Sequence, residues 1–279
     1  MSVDKTEAQL ISKAISQVLS EGLAAVLVTL MDLPQSRSAE WRIGSKLLVN
    51  ESGETVGTLG PSKLDEAVAR QTQRFLTSRD EAKTVKVEEF TPELKDFQGV
   101  GLLFERIEAE PRLVIAGAGH VGASLARLAA MVGYRVTLID DRGEFVKREL
   151  FSSENQQRIE LVAAEDWSEA MSEAIAHGRG VSVAIVTRGH KQDEDCLRAA
   201  IASDPDYVGM IGSKRRTNIV LDKLREEGAD EEKLRKVRAP IGLDIGAVSP
   251  EEVALAILAE IVAERRHGSG MPLSAWRRT

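Results

Sequence analysis

The run "PRLVIAGAGHVGASLARLAAMVGYRVTLIDDR" constrains what this chain can fold into more than any other stretch. Within it, Gly117-Ala118-Gly119-His120-Val121-Gly122 fits the spacing G-x-G-x-x-G, with an apolar strand before it and a helix-forming run after it. A second apolar strand ends in Asp140, 23 residues beyond Gly117. In that frame Gly117 allows a tight turn, Gly119 lets a phosphate approach the backbone, and Gly122 lets helix pack closely on strand. The helix start contributes free N–H groups to an anion. An acid closing the second strand is the residue type that accepts a ribose hydroxyl. His120 opens the helix where its ring can reach a phosphate or substrate. Asp140-Asp141-Arg142 sets two carboxylates and a guanidinium after one strand, with simple pairing of Asp141 and Arg142 as the plainer reading.

The same rhythm continues downstream. Strands are predicted at 159–162, 181–187 and 207–212, and helices at 167–177, 192–202 and 214–227. Strands that are apolar throughout and alternate with helices indicate a parallel sheet covered on both faces, a Rossmann-like arrangement. The last helix carries its own start signal. Ser249 stands at the N-cap, Pro250 at the first helical position and Glu252 completes a capping box. Positions 253, 257, 258 and 261 form its docking face, and Arg265 and Arg266 suit the macrodipole in its final turn.

The first 108 residues read differently. Leu10, Ile11, Ala14, Ile15 and Val18 share one face of a helix over 5–21, and 24–30 is a compact apolar strand. Two short strands flank a turn at Glu51-Ser52-Gly53, a helix fills 62–77, and 84–90 and 99–108 read as further strands. The fold class is therefore α/β: a small α+β domain at 1–108 and a Rossmann-like domain at 109–279, with the pattern changing at Pro111.

Ligands of open parallel sheets gather beyond the carboxyl ends of the strands, so the loops there carry the candidate chemistry. The loop after the 181–187 strand supplies Arg188, His190 and Asp193, the last two spaced for an acid–base pair. Neither has a third partner at metal-ligand spacing, and no metal site is read. The next strand leads into Gly212-Ser213-Lys214-Arg215-Arg216, a glycine, a hydroxyl and three cations at a helix start. Cations there oppose the helix dipole, a conflict that a bound anion relieves. A glycine-rich loop with Pro240, Gly242, Asp244 and Gly246 lies near the same edge. His177 and His267 read as structural or surface residues, and Cys196 as a core thiol rather than an exposed nucleophile.

Composition narrows the function classes. The chain has 44 acidic residues against 37 Lys and Arg, a formal charge of -7, and 4% aromatics. Nucleic-acid binding calls for a basic face and stacking platforms, so no nucleic-acid partner is expected. A single cysteine excludes an internal disulfide and leaves no thiolate metal cluster. The charged, helical start is unlike a signal peptide, and no window is apolar enough for a membrane span, which together suggest a cytoplasmic protein. From residues alone, a phosphate-bearing cofactor and a nicotinamide dinucleotide, NAD(P), both remain open at the glycine loop. The latter would make the chain an oxidoreductase, with His190 or His120 as proton donor, or a non-catalytic dinucleotide sensor.

Four stretches in order, "LVIAGAGHVGASLARLAAMVGYRVTLIDDR", "TRGHKQDEDCL", "YVGMIGSKRR" and "APIGLDIGAVSPEEVALAILAEI", resemble the XdhC/CoxI family over about 112–264. Its members are accessory factors of xanthine dehydrogenase and related molybdenum hydroxylases, such as carbon monoxide dehydrogenase. The resemblance implies a cofactor-maturation chaperone rather than an enzyme. Such a protein binds the molybdenum cofactor in its molybdopterin form, assists its sulfuration and delivers it to the apo-hydroxylase. The partners it implies are that apo-enzyme and a cysteine desulfurase; a homodimer stays open. The candidate cofactor-binding residues read from the loops above are Gly117, Gly119, His120, Gly122, Asp140, Arg142, Arg188, Gly212, Ser213, Lys214, Arg215, Arg216 and Asp244, which could hold this cofactor as readily as NAD. "GSKLLVNESGETVGTLG" is similar to the family's other domain. Where many members continue into glycines, a cysteine and an acid, this chain reads Gly60-Pro61-Ser62-Lys63-Leu64-Asp65-Glu66. Lys63 stands near the place of the cysteine, the acid survives as Asp65 or Glu66, and the loop Met31–Ser38 is also altered. Without that thiolate, direct sulfur transfer through this domain loses its natural relay.

Overall fold

The computed structural model describes residues 2–34, 41–78, 80–151, 157–176 and 179–274. His177 and much of the altered loop at 31–38 lie outside them. The chain divides into two units, Met1–Ala109 and Glu110–Thr279.

The first unit runs α1 (Ser2–Ser20), β1 (Ala24–Asp32), β2 (Lys46–Asn50), β3 (Thr55–Gly57), α2 (Ser62–Leu76), β4 (Ala82–Lys86), α3 (Val87–Phe90) and β5 (Gly101–Glu108). Its strands form an antiparallel sheet in the order β3-β2-β1-β5-β4. The central strand β1 is apolar at successive positions because both its faces are covered. Val26, Val28 and Leu30 point into a core with Leu64, Val68 and Phe75 of α2. Ala25 and Leu27 face Ala14, Ile15 and Val18 of α1. Two expectations change here. Leu10, assigned to the inner face of α1, is 56% exposed. The strand predicted over 84–90 stops at Lys86 and turns into α3. There the Glu89 carboxylate accepts the Lys86 N–H at 3.0 Å, and Phe90 swings edge-on to Phe104.

The second unit runs β6 (Arg112–Ala116), α4 (His120–Met131), β7 (Arg135–Asp140), β8 (Ile159–Ala163), α5 (Trp167–Ile175), β9 (Val181–Ile185), α6 (His190–Ser203), β10 (Tyr207–Met210), α7 (Lys214–Glu226), α8 (Glu231–Lys236) and α9 (Pro250–Arg265). Its five strands are all parallel, in the order β10-β9-β6-β7-β8. Alternate residues of each strand serve different layers. Leu113 and Ile115 of β6 join Leu125 and Ala129 of α4 and Ile257 and Ile261 of α9. Val114 and Ala116 join Met171, Leu197 and Val220 of α5, α6 and α7. The capping box at Ser249 and Glu252 is formed, and α9 packs along α4.

The order matters for the site. β6 is the first strand of this sheet, and the chain builds outward through β7 and β8 before crossing back to β9 on its other side. The connections leaving β6 and β9 therefore diverge. A crevice opens beyond their carboxyl ends, the place where open α/β sheets take ligands.

Candidate functional site

A cavity of about 90 Å³ lies at this switch point, lined by residues that include Gly117, Gly119, Asp140, Arg142, Trp167 and Arg188. Gly117 adopts φ 110°, a region open to glycine, and a Cβ there would stand 2.6 Å from the Val186 carbonyl oxygen. The loops after β6 and β9 touch through that glycine. Gly122 lies beneath the turn, where any side chain would collide with the Gly117 carbonyl oxygen. Gly119 is different: a Cβ there meets open space, so its backbone faces the cleft.

Of the five helices of at least eight residues among the described residues of this unit, α5, α7 and α9 carry a side-chain cap, from Asp166, Ser213 and Ser249. The two that start at glycine, α4 at Gly119 and α6 at Gly189, have no side-chain cap. Both begin at the carboxyl ends of adjacent central strands. Their first N–H groups are thus left to solvent or ligand, each at the positive end of a helix dipole. His120 and His190 are the first residues of these helices, and both are exposed.

Asp140 closes β7 with a side chain only 2% exposed. It accepts the Ala118 N–H at 2.7 Å and the Arg142 N–H at 3.0 Å, and the Arg142 guanidinium grips it through Nε at 2.8 Å and Nη2 at 3.0 Å. Burial works to raise the carboxyl's pKa, but these hydrogen bonds and the guanidinium charge hold it below the usual range. The hydrogen bond to Asp140 in turn raises Arg142 above the usual guanidinium value. The sequence assigned Asp140 to a ribose hydroxyl, and the structure turns it inward onto Arg142 instead. Nor do Asp141 and Arg142 simply pair, since Arg142 is 3.8 Å from Asp141 and bonds Asp140 more closely. Asp141 also meets Arg188 at 3.3 Å, bridging the ends of β7 and β9.

The expected His190–Asp193 pair is not formed. Asp193 shares the inner face of α6 with Cys196, Leu197 and Ala200 and is fully buried. Its carboxylate accepts the Thr187 hydroxyl at 2.6 Å and the Arg216 guanidinium at 2.8 Å and 2.5 Å. Helical periodicity puts 193, 196, 197 and 200 on one face, the signal that could have identified Asp193 as internal. Arg216 is thereby committed to the protein. Lys214 and Arg215, at the start of α7, are exposed and have no ion pair among the described residues. Gly212 adopts φ 152°, Ser213 caps α7, and Asp244 is exposed. None of residues 212–216 or Asp244 lines the cavity.

The structure thus gathers Gly117, Gly119, Asp140, Arg142 and Arg188 around one cavity, and leaves His120, His190, Lys214, Arg215 and Asp244 outside its wall. It adds Trp167 and Val186, which the sequence reading had passed over. Trp167 is the first residue of the helix after β8, and that position beyond a parallel strand was the available signal. Among the described residues no cluster of three His, Cys, Asp or Glu could hold a metal ion, and no helix is long and apolar enough to cross a membrane.

Comparison with known proteins gives this geometry a context. Among curated proteins, the uncharacterized protein YqeB of Escherichia coli (strain K12) is 30% identical over 245 residues, 84% of this chain and 43% of that protein. A probable xanthine dehydrogenase subunit of Bacillus subtilis (strain 168) is 29% identical over 169 residues, 61% of this chain and 47% of its own. The molybdenum cofactor insertion chaperone PaoD of Escherichia coli (strain K12) is 28% identical over 156 residues, 56% of this chain and 41% of its own. The chain spans less than half the length of these curated relatives. A family model described as the XdhC Rossmann domain matches residues 113–261, the parallel sheet and its cavity. A second, described as the XdhC and CoxI family, matches residues 18–88. With one model covering most of the parallel-sheet unit and the other most of the antiparallel one, the chain belongs to the XdhC/CoxI family.

Proposed function

We propose that this protein is an accessory factor that holds the molybdenum cofactor by its terminal phosphate and assists its sulfuration and insertion into a xanthine dehydrogenase-type molybdenum hydroxylase. The observation that carries the phosphate assignment is the cavity between β6 and β9, onto whose edge two uncapped helix starts open. Family membership and the likeness to a cofactor insertion chaperone support the choice of cargo and of partner.

The residues of the parallel-sheet unit fit a phosphate, and the chain holds no thiol suited to the metal. At the cavity, the glycine-loop backbone and Arg188 offer donors and positive charge, while Lys214 and Arg215 lie outside its wall on the helix after β10. In the first unit, Lys63 stands near the place in the sequence where many family members carry a cysteine. Asp65 is committed to the Thr58 hydroxyl at 2.6 Å and the Leu59 N–H at 2.8 Å. The one cysteine, Cys196, is buried, and desolvation with the nearby Asp193 and Asp195 charges pushes its thiol far above the ordinary range. This chain therefore supplies no thiol for a sulfur relay. In the proposed role sulfur comes from a partner, a cysteine desulfurase, while this protein binds and presents the pterin.

The test is to express the chain in a host that makes molybdenum cofactor, purify it, and identify bound molecules by mass spectrometry and pterin fluorescence. Stoichiometric pterin is expected. Gly119→Asp, which meets open space and so leaves packing intact, puts a carboxylate at the phosphate position and empties the site. Arg188→Ala, which removes a cation from the cavity wall, weakens retention. A bound nicotinamide dinucleotide with no pterin overturns the proposal in favour of an oxidoreductase or sensor. So does protein that stays empty even when incubated with cofactor released from a molybdenum hydroxylase.

A further inference from the structure

In a parallel α/β sheet, the acid that closes the second strand can read a ribose only if a carboxylate oxygen remains open to the cleft. Asp140 has none to offer. A carboxylate accepts at about four lone-pair positions. Four donor contacts already occupy Asp140: the N–H groups of Ala118 and Arg142, and Nε and Nη2 of the Arg142 side chain. Arg142 is itself fixed, with its guanidinium carbon 3.9 Å from the Phe145 ring centroid. The space in front of this pair is also small. The cavity measures about 90 Å³, whereas pockets that enclose a whole small molecule run from roughly 300 to 1,000 Å³. It has room for a phosphate-sized group, with the rest of the ligand outside.

We propose that Arg142 is a specificity-determining residue that closes the glycine-loop site to ribose diols, so that the site takes its ligand by a phosphate monoester and reads no sugar hydroxyl. This rests on the glycine-loop cavity being a phosphate site, as in the function proposed above, and it names the ligand class of that site. The pairing has a second consequence. A free Asp140 carboxylate would repel an incoming phosphate, while the Asp140–Arg142 pair presents no net charge. One guanidinium thus removes the acceptor a nucleoside needs and the repulsion a phosphate would meet.

The test compares AMP with 2′-deoxy-AMP, which share the phosphate monoester and differ in the vicinal diol. Titration calorimetry is run on the full chain, with circular dichroism and thermal melts confirming that each variant folds. The wild type is expected to bind both nucleotides within about twofold of each other, since nothing reads the diol. Arg142→Ala frees Asp140 and is expected to prefer AMP by about tenfold or more, the effect of restored hydrogen bonds to a charged acceptor. Arg142→Gln retains one donor to Asp140 and should fall between them, which keeps the test usable if the alanine variant folds poorly. A purely structural role for Arg142 would alter both affinities without altering their ratio.

A tenfold AMP preference in the wild type overturns the proposal, as does an unchanged ratio in a folded Arg142→Ala protein. Wild-type binding of NADP in preference to NAD, abolished in Arg142→Ala, also overturns it, because the guanidinium would then be a ligand for the 2′-phosphate. Failure of the wild type to bind either monophosphate removes the phosphate site, and this proposal with it. The expected ratios in a protein that never carries pterin would uphold the role of Arg142 and sink the cofactor assignment alone.

Discussion

The buried pair Asp193–Arg216 ties the helix after β9 to the helix after β10, and its energetics can be worked out from the two burials. The Asp193 side chain is fully enclosed, while that of Arg216 is 23% exposed. Arg216→Ala strands a buried carboxylate with the Thr187 hydroxyl as its remaining side-chain donor, and breaking a buried pair in this way costs about 3–5 kcal/mol. Asp193→Ala leaves a guanidinium that can turn to water. Its cost should be smaller, about 2–3 kcal/mol, from the lost charge-assisted hydrogen bonds. In the double variant neither charge is stranded, so the combined loss should stay close to that of Asp193→Ala, with a coupling about as large as the Arg216→Ala cost, about 3–5 kcal/mol. Urea unfolding can measure all three variants in a Trp41→Phe, Trp276→Phe background, where the emission of Trp167 reports on the parallel-sheet unit. Costs that add within about 0.5 kcal/mol would refute the coupling. A larger cost for Asp193→Ala than for Arg216→Ala would refute the argument from burial.

Two further predictions separate packing from chemistry. Gly122→Ala drives a methyl group into the Gly117 carbonyl and is expected to cost about 1–3 kcal/mol and to abolish AMP binding, whereas Gly119→Ala, facing open space, should leave the melting temperature nearly unchanged. Thermal melts and titration of the two variants check this, and equal destabilisation would contradict the geometry. Cys196 should resist a thiol reagent such as dithiobis-nitrobenzoate at pH 8 in the folded protein and react stoichiometrically in urea, because burial raises its pKa and blocks access. Fast reaction in the native state would show that α6 opens readily.

The residues divide clearly between what periodicity reveals and what only folding brings about. The parallel sheet was legible because its central strands are buried on both faces and almost wholly apolar, as in Leu113 through Ala116. The glycine loop was legible because each glycine answers a local demand: φ 110° at Gly117 and close packing at Gly122. The capping box of α9 depends on neighbours three residues apart, so it too could be read directly.

Partner choice among charges was not legible, and that is where the sequence reading went astray. Arg216 looked like one of three cations awaiting an anion, and Asp193 like the partner of a histidine three residues away. The pairing was decided across 23 residues of chain, by the crossover that sets α7 beside α6. Asp140 is the same case at shorter range, since its type and position announced a ribose acceptor and its saturation by Arg142 follows from side-chain geometry after β7. The sequence by itself determined the alternating elements of the parallel sheet, the glycine loop and the cap of α9, because those depend on local conformation and on burial patterns of fixed period. Which carboxylates remain open to a ligand was settled only by the tertiary structure, because a charge takes its partner from whatever the fold brings within hydrogen-bonding distance.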